Sequence, residues 1–191
     1  MKKADAAVEN LFMSKCCACG LLLNNPFLCV VCSTVQPFQA LTPFELLAIA
    51  PDFPLNQLEV QKHYLDCQRL VHPDHCAGGE KWSEALNQAY QTLKDPLRTL
   101  QAVLEVHGYV LDPTIHDPVV LAEAFELQEE IADASYERLC TTILPQLKAK
   151  LQDMLEQAYG LYEDRRFEEL QRLFLRMYQL EAVLKQLKNR C

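Results

Sequence analysis

The stretch LNQLEVQKHYLDCQRLVHPDHCAGGEKWSEALNQAYQTLK, residues 55–94, decides the fold. Leu58, Leu65 and Leu70 interleave with Tyr64 and Val71 at roughly helical spacing, which predicts a helix over about 55–71. Pro73 has no N–H and pushes His72 out of the α region, so that helix must stop there. The proline fixes a bend, with His72 and Asp74 displayed beside it. Trp82, Leu86, Ala89, Tyr90 and Leu93 then form a second apolar stripe, over about 80–94. The reading is helix, His-Pro-Asp loop, antiparallel helix.

Working upstream, Thr42-Pro43-Phe44-Glu45 opens a short helix: Thr42 is an N-cap, Pro43 takes the first position and Glu45 completes a capping box. That helix ends near Ala50-Pro51. Gln36-Pro37-Phe38-Gln39-Ala40 reads as a linker. Downstream, Asp95-Pro96 caps and starts a fourth helix carrying Leu97, Leu100, Val103, Leu104 and His107 before Gly108. These segments make one helical unit, residues 41–111, preceded by a cysteine segment, 1–40, and followed by a C-terminal part, 112–191.

The nine cysteines are unevenly spread. Cys16-x-x-Cys19-Gly20 is followed after nine residues by Cys29-x-x-Cys32. An odd total argues against a disulfide scaffold. Each CxxC can wrap one face of a tetrahedral ion, and four thiolates suit a single structural zinc with Zn–S bonds of about 2.3 Å. Four filled positions leave none open for metal catalysis. A [2Fe–2S] cluster and a redox dithiol pair are the alternatives. Cys17 is spare. The segment is too short to build a core, so metal binding would supply much of its folding energy. Cys67 and Cys140 read as helix-packing residues, and His63 as a surface or boundary histidine. His72, Asp74, His75 and Cys76 form neither a metal site nor a catalytic pair: the tight loop does not aim adjacent side chains at one point.

Asp112-Pro113 and Asp117-Pro118 mark a connector into three helical stretches, about 118–134, 136–160 and 163–189, which form a bundle. Gly160 lies at the last break. Pro145 is tolerated at a helix start or kinks a helix already begun near Tyr136. In the first stretch Val120, Ala124, Leu127, Ile131 and Ala134 cluster on one side as the core stripe. Leu121 and Phe125 lie about 100–140° away from Val120. Glu129 flanks them, with Glu126 and Glu130 nearby. They are either a partner patch or packing against a neighbouring helix.

Composition excludes several classes. The 191 residues are half hydrophobic and carry a net charge of −8, so the chain is neither disordered nor basic enough for a nucleic-acid footprint. No apolar run spans a bilayer. MKKADAAVEN reads as neither a secretory signal nor a transit peptide, and the cytoplasm is the expected location. No Gly-rich phosphate loop is present, and no enzymatic activity is expected.

Several phrases together resemble the HscB-type J-proteins, the co-chaperones of iron–sulfur cluster biogenesis. They are Leu70-Val71-His72-Pro73-Asp74, Leu86-Asn87-Gln88-Ala89-Tyr90-Gln91-Thr92-Leu93, Pro96-Leu97-Arg98 and Leu104-x-x-His107-Gly108. The paired CxxC motifs resemble the zinc-binding extension of eukaryotic, mitochondrial members, for which the location would be the matrix. The resemblance covers Cys16 to about Lys188 and implies an all-α fold: a helical J-domain and a C-terminal three-helix bundle, preceded by a small tetracysteine metal-binding ribbon. It implies that His72, Pro73 and Asp74, with the basic Lys62 and Arg69, face a DnaK/HscA-class chaperone whose ATPase is stimulated. It further implies that Leu121, Ala122, Phe125, Glu126, Glu129 and Tyr178 face an IscU-type iron–sulfur scaffold. Cys16, Cys19, Cys29 and Cys32 would hold the zinc. The chain departs from the family in three ways. His75 replaces the lysine that often follows HPD, Lys62 and Arg69 are the only fixed cations in residues 55–71, and Pro145 interrupts a long helix. A general J-protein recruiting unfolded clients through its ribbon, a zinc-ribbon nucleic-acid binder and a direct iron or cluster carrier are the other readings. Self-association is compatible with the sequence.

Overall fold

The computed structural model describes residues 15–72, 78–109, 111 and 118–188. Pro73, Asp74, His75 and Cys76 lie outside the described residues. The chain divides into two compact units, Met1–Ala102 and Val103–Cys191. Among the described residues the architecture is all-α, and the cysteine segment contributes only two isolated antiparallel bridges.

The first unit is built on α1 (Pro43–Leu47), α2 (Gln57–Val71), α3 (Glu80–Lys94) and the start of α4 (Pro96–Val106). Side-chain caps set three of their starts, whereas α3 begins at Gly79 without one. Thr42 and Glu45 close a full capping box, Asn56 accepts the Leu58 N–H, and Asp95 accepts the N–H groups of Leu97 and Arg98. Such caps each contribute about 1 kcal/mol. Trp82, Leu86, Ala89 and Leu93 are buried as their stripe requires.

Helix α2 corrects one expectation. Leu58 is 78% and Leu65 44% exposed, while Val60 and Val71 are buried and Tyr64 and Cys67 half-buried. The inward stripe is therefore 60, 64, 67, 71; Leu58 and Leu65 face outward, and Leu70 is half-buried. A polar ladder lies beside that stripe. Tyr64 donates to Asn87 at 2.7 Å, and Gln68 donates to Asn87 and to the Ser83 carbonyl. The Tyr64 and Tyr90 rings stack at 4.3 Å. His63 behaves as a boundary histidine, its Nδ1 donating to the Leu47 carbonyl at 2.9 Å. Burial, followed by the Asp66 charge, pushes the Cys67 thiol up to about 11, so it packs as a neutral group.

Three helix ends share one device. The N–H of Tyr109 returns to Leu104 and that of Gly108 to Glu105, with Gly108 at φ 84°. This is a Schellman closure, and it gives Leu104-x-x-His107-Gly108 a structural meaning: a buried leucine three positions before the cap and a glycine in the left-handed position. Ala48 (φ 50°) closes α1 in the same way, with Ile49 returning to Phe44.

The second unit contains α5 (Pro118–Asp133), α6 (Tyr136–Arg138), a π-helical turn at Leu139–Ile143, α7 (Leu144–Glu163) and α8 (Phe167–Lys188). Helix α7 packs along α8, and α5 packs on α8. Pro145 neither ends nor starts an isolated helix. The path is helical from Tyr136 to Glu163, and the Leu144 N–H bonds five residues back to Leu139. The widened turn accommodates a proline that has no N–H to give to Thr141.

Gly160 is not the last break. It lies inside α7, and the third closure comes beyond it on Arg165 at φ 59°, with Arg166 returning to Leu161 and Arg165 to Tyr162. A left-handed arginine is strained. Its guanidinium lies 5.4 Å from the Tyr162 ring centre and 6.0 Å from that of Phe167, cation–π contacts that offset part of the strain. His107 packs on the same Phe167 at 4.3 Å. Cys140 is disulfide-bonded, not the packing thiol expected.

Candidate metal centre and partner faces

The two CxxC turns are near copies. Cys16 N–H bonds to Leu21 O and Gly20 N–H to Cys16 O; Cys29 N–H bonds to Thr34 O and Ser33 N–H to Cys29 O. Lys15 bridges Leu22, and Leu28 bridges Val35. The residue after each second cysteine is left-handed, Gly20 at φ 74° and Ser33 at φ 55°. This shared loop turns backbone N–H groups toward sulfur and brings the four thiols together.

All four Sγ atoms lie within 4.8 Å of one another, with Cys16–Cys32 at 3.5 Å and Cys19–Cys29 at 3.7 Å. Zn–S bonds of about 2.3 Å give tetrahedral edges of about 3.8 Å, so the cluster has the size of one four-coordinate ion. Cys17 is exposed and outside the cluster. The Cys19 backbone N–H, the largest influence, lowers the Cys16 thiol to about 6, with the Ala18 N–H acting in the same direction. The Thr34 hydroxyl and backbone N–H lower Cys32 as well. At Cys19 the Leu21 N–H acts downward, yet burial and the neighbouring sulfurs of Cys32, Cys16 and Cys29 push the thiol up to about 12.

The ribbon does not hang on a linker. Gln36 is buried, and the Trp82 indole N–H donates to its carbonyl at 3.0 Å. Phe27 and Phe38 pack on Trp82 with ring centres 5.2 and 4.9 Å away. The segment thus borrows its core from α3. Sequence reasoning missed Phe27, Gln36 and this use of Trp82; the one available signal was a large core indole whose N–H needed an acceptor.

His72 is the C-cap of α2 and is exposed. Lys62 and Arg69 are also exposed, and Arg69 pairs with Asp66 at 2.9 Å. Such a surface pair contributes little energy, but it offsets one of the two cations.

In the second unit the predicted core stripe is correct: Val120 and Ile131 are buried, and Ala124 and Leu127 half-buried. Phe125 is 66%, Leu121 37% and Tyr178 39% exposed, and Ala122, Glu126 and Glu129 are exposed too. Glu123 pairs with Arg176 at 2.9 Å, and Ile131 shares a small cavity with Val183 and Leu187, so α5 and α8 run parallel. Phe125 and Tyr178 each stand two residues after one half of that ion pair, about 200° round the helix. Glu130 is engaged by Arg138 at 3.1 Å, whereas among the described residues neither Glu126 nor Glu129 has an ion-pair partner. No described helix is long and apolar enough to cross a membrane.

No protein-family model matches the chain. Among curated proteins it is 30% identical to the co-chaperone protein HscB of Proteus mirabilis over 127 residues, 61% of this chain and 73% of that protein. It is 28% identical to the human iron–sulfur cluster co-chaperone protein HscB over 177 residues, 86% of this chain and 75% of that one. The crystal structure of human HscB superposes with a TM-score of 0.79 at 27% identity, covering 92% of this chain and 97% of that structure. The likeness to the human protein spans ribbon, helices and bundle together, and the bacterial match meets it at the level of sequence. The chain belongs to the HscB family of J-type iron–sulfur cluster co-chaperones.

Proposed function

We propose that this co-chaperone delivers an IscU-type iron–sulfur scaffold to a DnaK/HscA-class chaperone and stimulates its ATPase through His72, Pro73 and Asp74. The exposure of Phe125 carries the reading. The bundle closes its core without Phe125, Leu121 or Tyr178, which leaves an apolar centre beside the carboxylates of Glu126 and Glu129. Lys62 and Arg69, on another unit, suit a second partner. Holding both partners on one chain raises their effective concentration, with no chemistry required of this protein. The bond-breaking step belongs to the chaperone.

Zinc is the proposed ion for Cys16, Cys19, Cys29 and Cys32. The single compact tetrahedron supports it, because a two-iron cluster holds its four outer sulfurs as two pairs on opposite sides. When bound, the ion supplies folding energy and no open coordination position. The test is an ATPase assay with a DnaK/HscA-class chaperone, with and without the scaffold. Stimulation by this chain, increased by the scaffold, is expected; no stimulation in either case refutes the proposal.

A second reading rests on the ribbon. Leu22, Val30 and Val31 are exposed on its turns, as a site for unfolded clients would be. A pulldown that recovers many clients and no scaffold would favour that general chaperone role.

A further inference from the structure

Gln36 touches each part that the ribbon must hold together. Its side-chain oxygen accepts the Cys17 N–H of the first turn at 3.0 Å. Its side-chain nitrogen donates to the Thr34 carbonyl of the second turn at 2.7 Å and reaches the Cys16 sulfur at 3.5 Å. Its backbone N–H donates to Phe27 O at 2.8 Å, and its carbonyl accepts the Trp82 indole N–H at 3.0 Å. Gln36 is only 5% exposed and Trp82 1%. Trp82 stands in the first turn of α3, the helix that follows the His-Pro-Asp segment.

We propose that Gln36 is a positioning residue of the metal centre, and that it couples metal loading of the ribbon to the packing of Trp82 at the start of α3. This rests on the reading that the four cysteines hold a metal. With a metal bound, the two turns are fixed on one ion, and Gln36 spans them with all of its polar groups satisfied. Without it, the turns are tied to one another only by Gln36 and by the Cys16–Cys32 and Cys19–Cys29 thiol contacts, and they loosen. Gln36 cannot then keep partners on both, and the Trp82 N–H loses a carbonyl that only an ordered ribbon presents. A buried indole N–H left without an acceptor is costly, so Trp82 repacks or becomes wet. Coupling of this kind is reciprocal: whatever loosens Trp82 must weaken metal binding by the same factor.

The experiment uses the full chain. Cobalt(II) titration of the apo-protein comes first, because thiolate-to-cobalt absorption reports whether a tetrahedral sulfur site exists at all. Failure there overturns the metal reading and this inference with it. Zinc is then stripped with a chelator while emission from Trp82, the only tryptophan in the chain, is followed. A red shift and easier acrylamide quenching, reversed by added zinc, are expected. Two variants test the route. Gln36→Glu keeps the acceptor for Cys17 N–H but removes the donor facing the Cys16 sulfur and the Thr34 carbonyl. Trp82→Phe keeps a ring and removes the N–H. Each is expected to lower zinc affinity about tenfold or more, the range found for groups that orient metal ligands. Cobalt binding with unchanged Trp82 emission on stripping overturns the coupling, and this needs no variant. Zinc affinity within about twofold of wild type in both variants overturns the role of Gln36.

Discussion

Helices α2 and α5 leave similar apolar material outside, but α2 mixes Lys62 and Arg69 with Glu59 and Asp66, whereas every charge on α5 is a carboxylate. On α2, Leu58 and Leu65 line up with Lys62 and Arg69 at steps of three and four residues, which is one helix face. On α5, Leu121, Phe125 and Glu129 follow one another at steps of four, with Ala122 and Glu126 alongside. Apolar area supplies affinity on either face, whereas the sign of the rim decides which partner is accepted and which repelled. Under the proposed function, this difference in charge would help to keep two partners on separate faces.

Four measurements test this contrast between the helices. Asp74→Asn should have the largest effect: ATPase stimulation lost, scaffold affinity unchanged. Full stimulation by this variant would remove the loop from the mechanism. Next, Leu121→Ala with Phe125→Ala should cost about 2 kcal/mol or more of scaffold binding, roughly thirtyfold, with helical circular dichroism retained. Affinity held within about twofold would make the pair mere packing. Smaller effects follow from charge. Lys62→Glu should weaken only the chaperone contact and Glu126→Lys only the scaffold contact, each by about 1 kcal/mol and less at high salt. Loss of both contacts in either variant would refute the division of labour. Ala48→Gly serves as the quiet control. It should raise stability by roughly 1 kcal/mol, seen as a higher Tm, because it relieves a left-handed alanine, and neither contact should change.

What the sequence disclosed was chiefly local. Thr42, Asn56 and Asp95 were legible as caps because a cap needs only its own turn. The cluster of four cysteines was legible because each CxxC carries its loop geometry with it. Phe125 was legible only as lying off the core stripe once Val120 fixed the inward direction; spacing left exposure and helix packing both open. The failures share a cause in long-range partners. Two apolar sets on α2 have helical spacing, and only the shape of α3 decides that Val60 and Val71 face inward and Leu58 and Leu65 do not. Gln36 resembled linker because Cys17, Cys16 and Trp82, which it bonds, lie 19, 20 and 46 residues away. Gly160 attracted the reading of a break that Arg165 makes, since arginine gives no sign of left-handed backbone until its stacking rings are in place.

The π-helical turn at Leu139–Ile143 has a consequence for how this chain can vary in length. A turn closed five residues back contains one residue more than an α turn. Everything C-terminal to it is therefore rotated by about 100° relative to an uninterrupted helix. Deleting Thr141 or Thr142 would act as a frame error within the folded bundle, carrying Leu147, Met154 and Ala158 away from the core and charged neighbours such as Lys148 toward it. The count of residues between Ser135 and Pro145 is thus fixed to the unit, while an exposed connector elsewhere can gain or lose residues without the bundle registering the change.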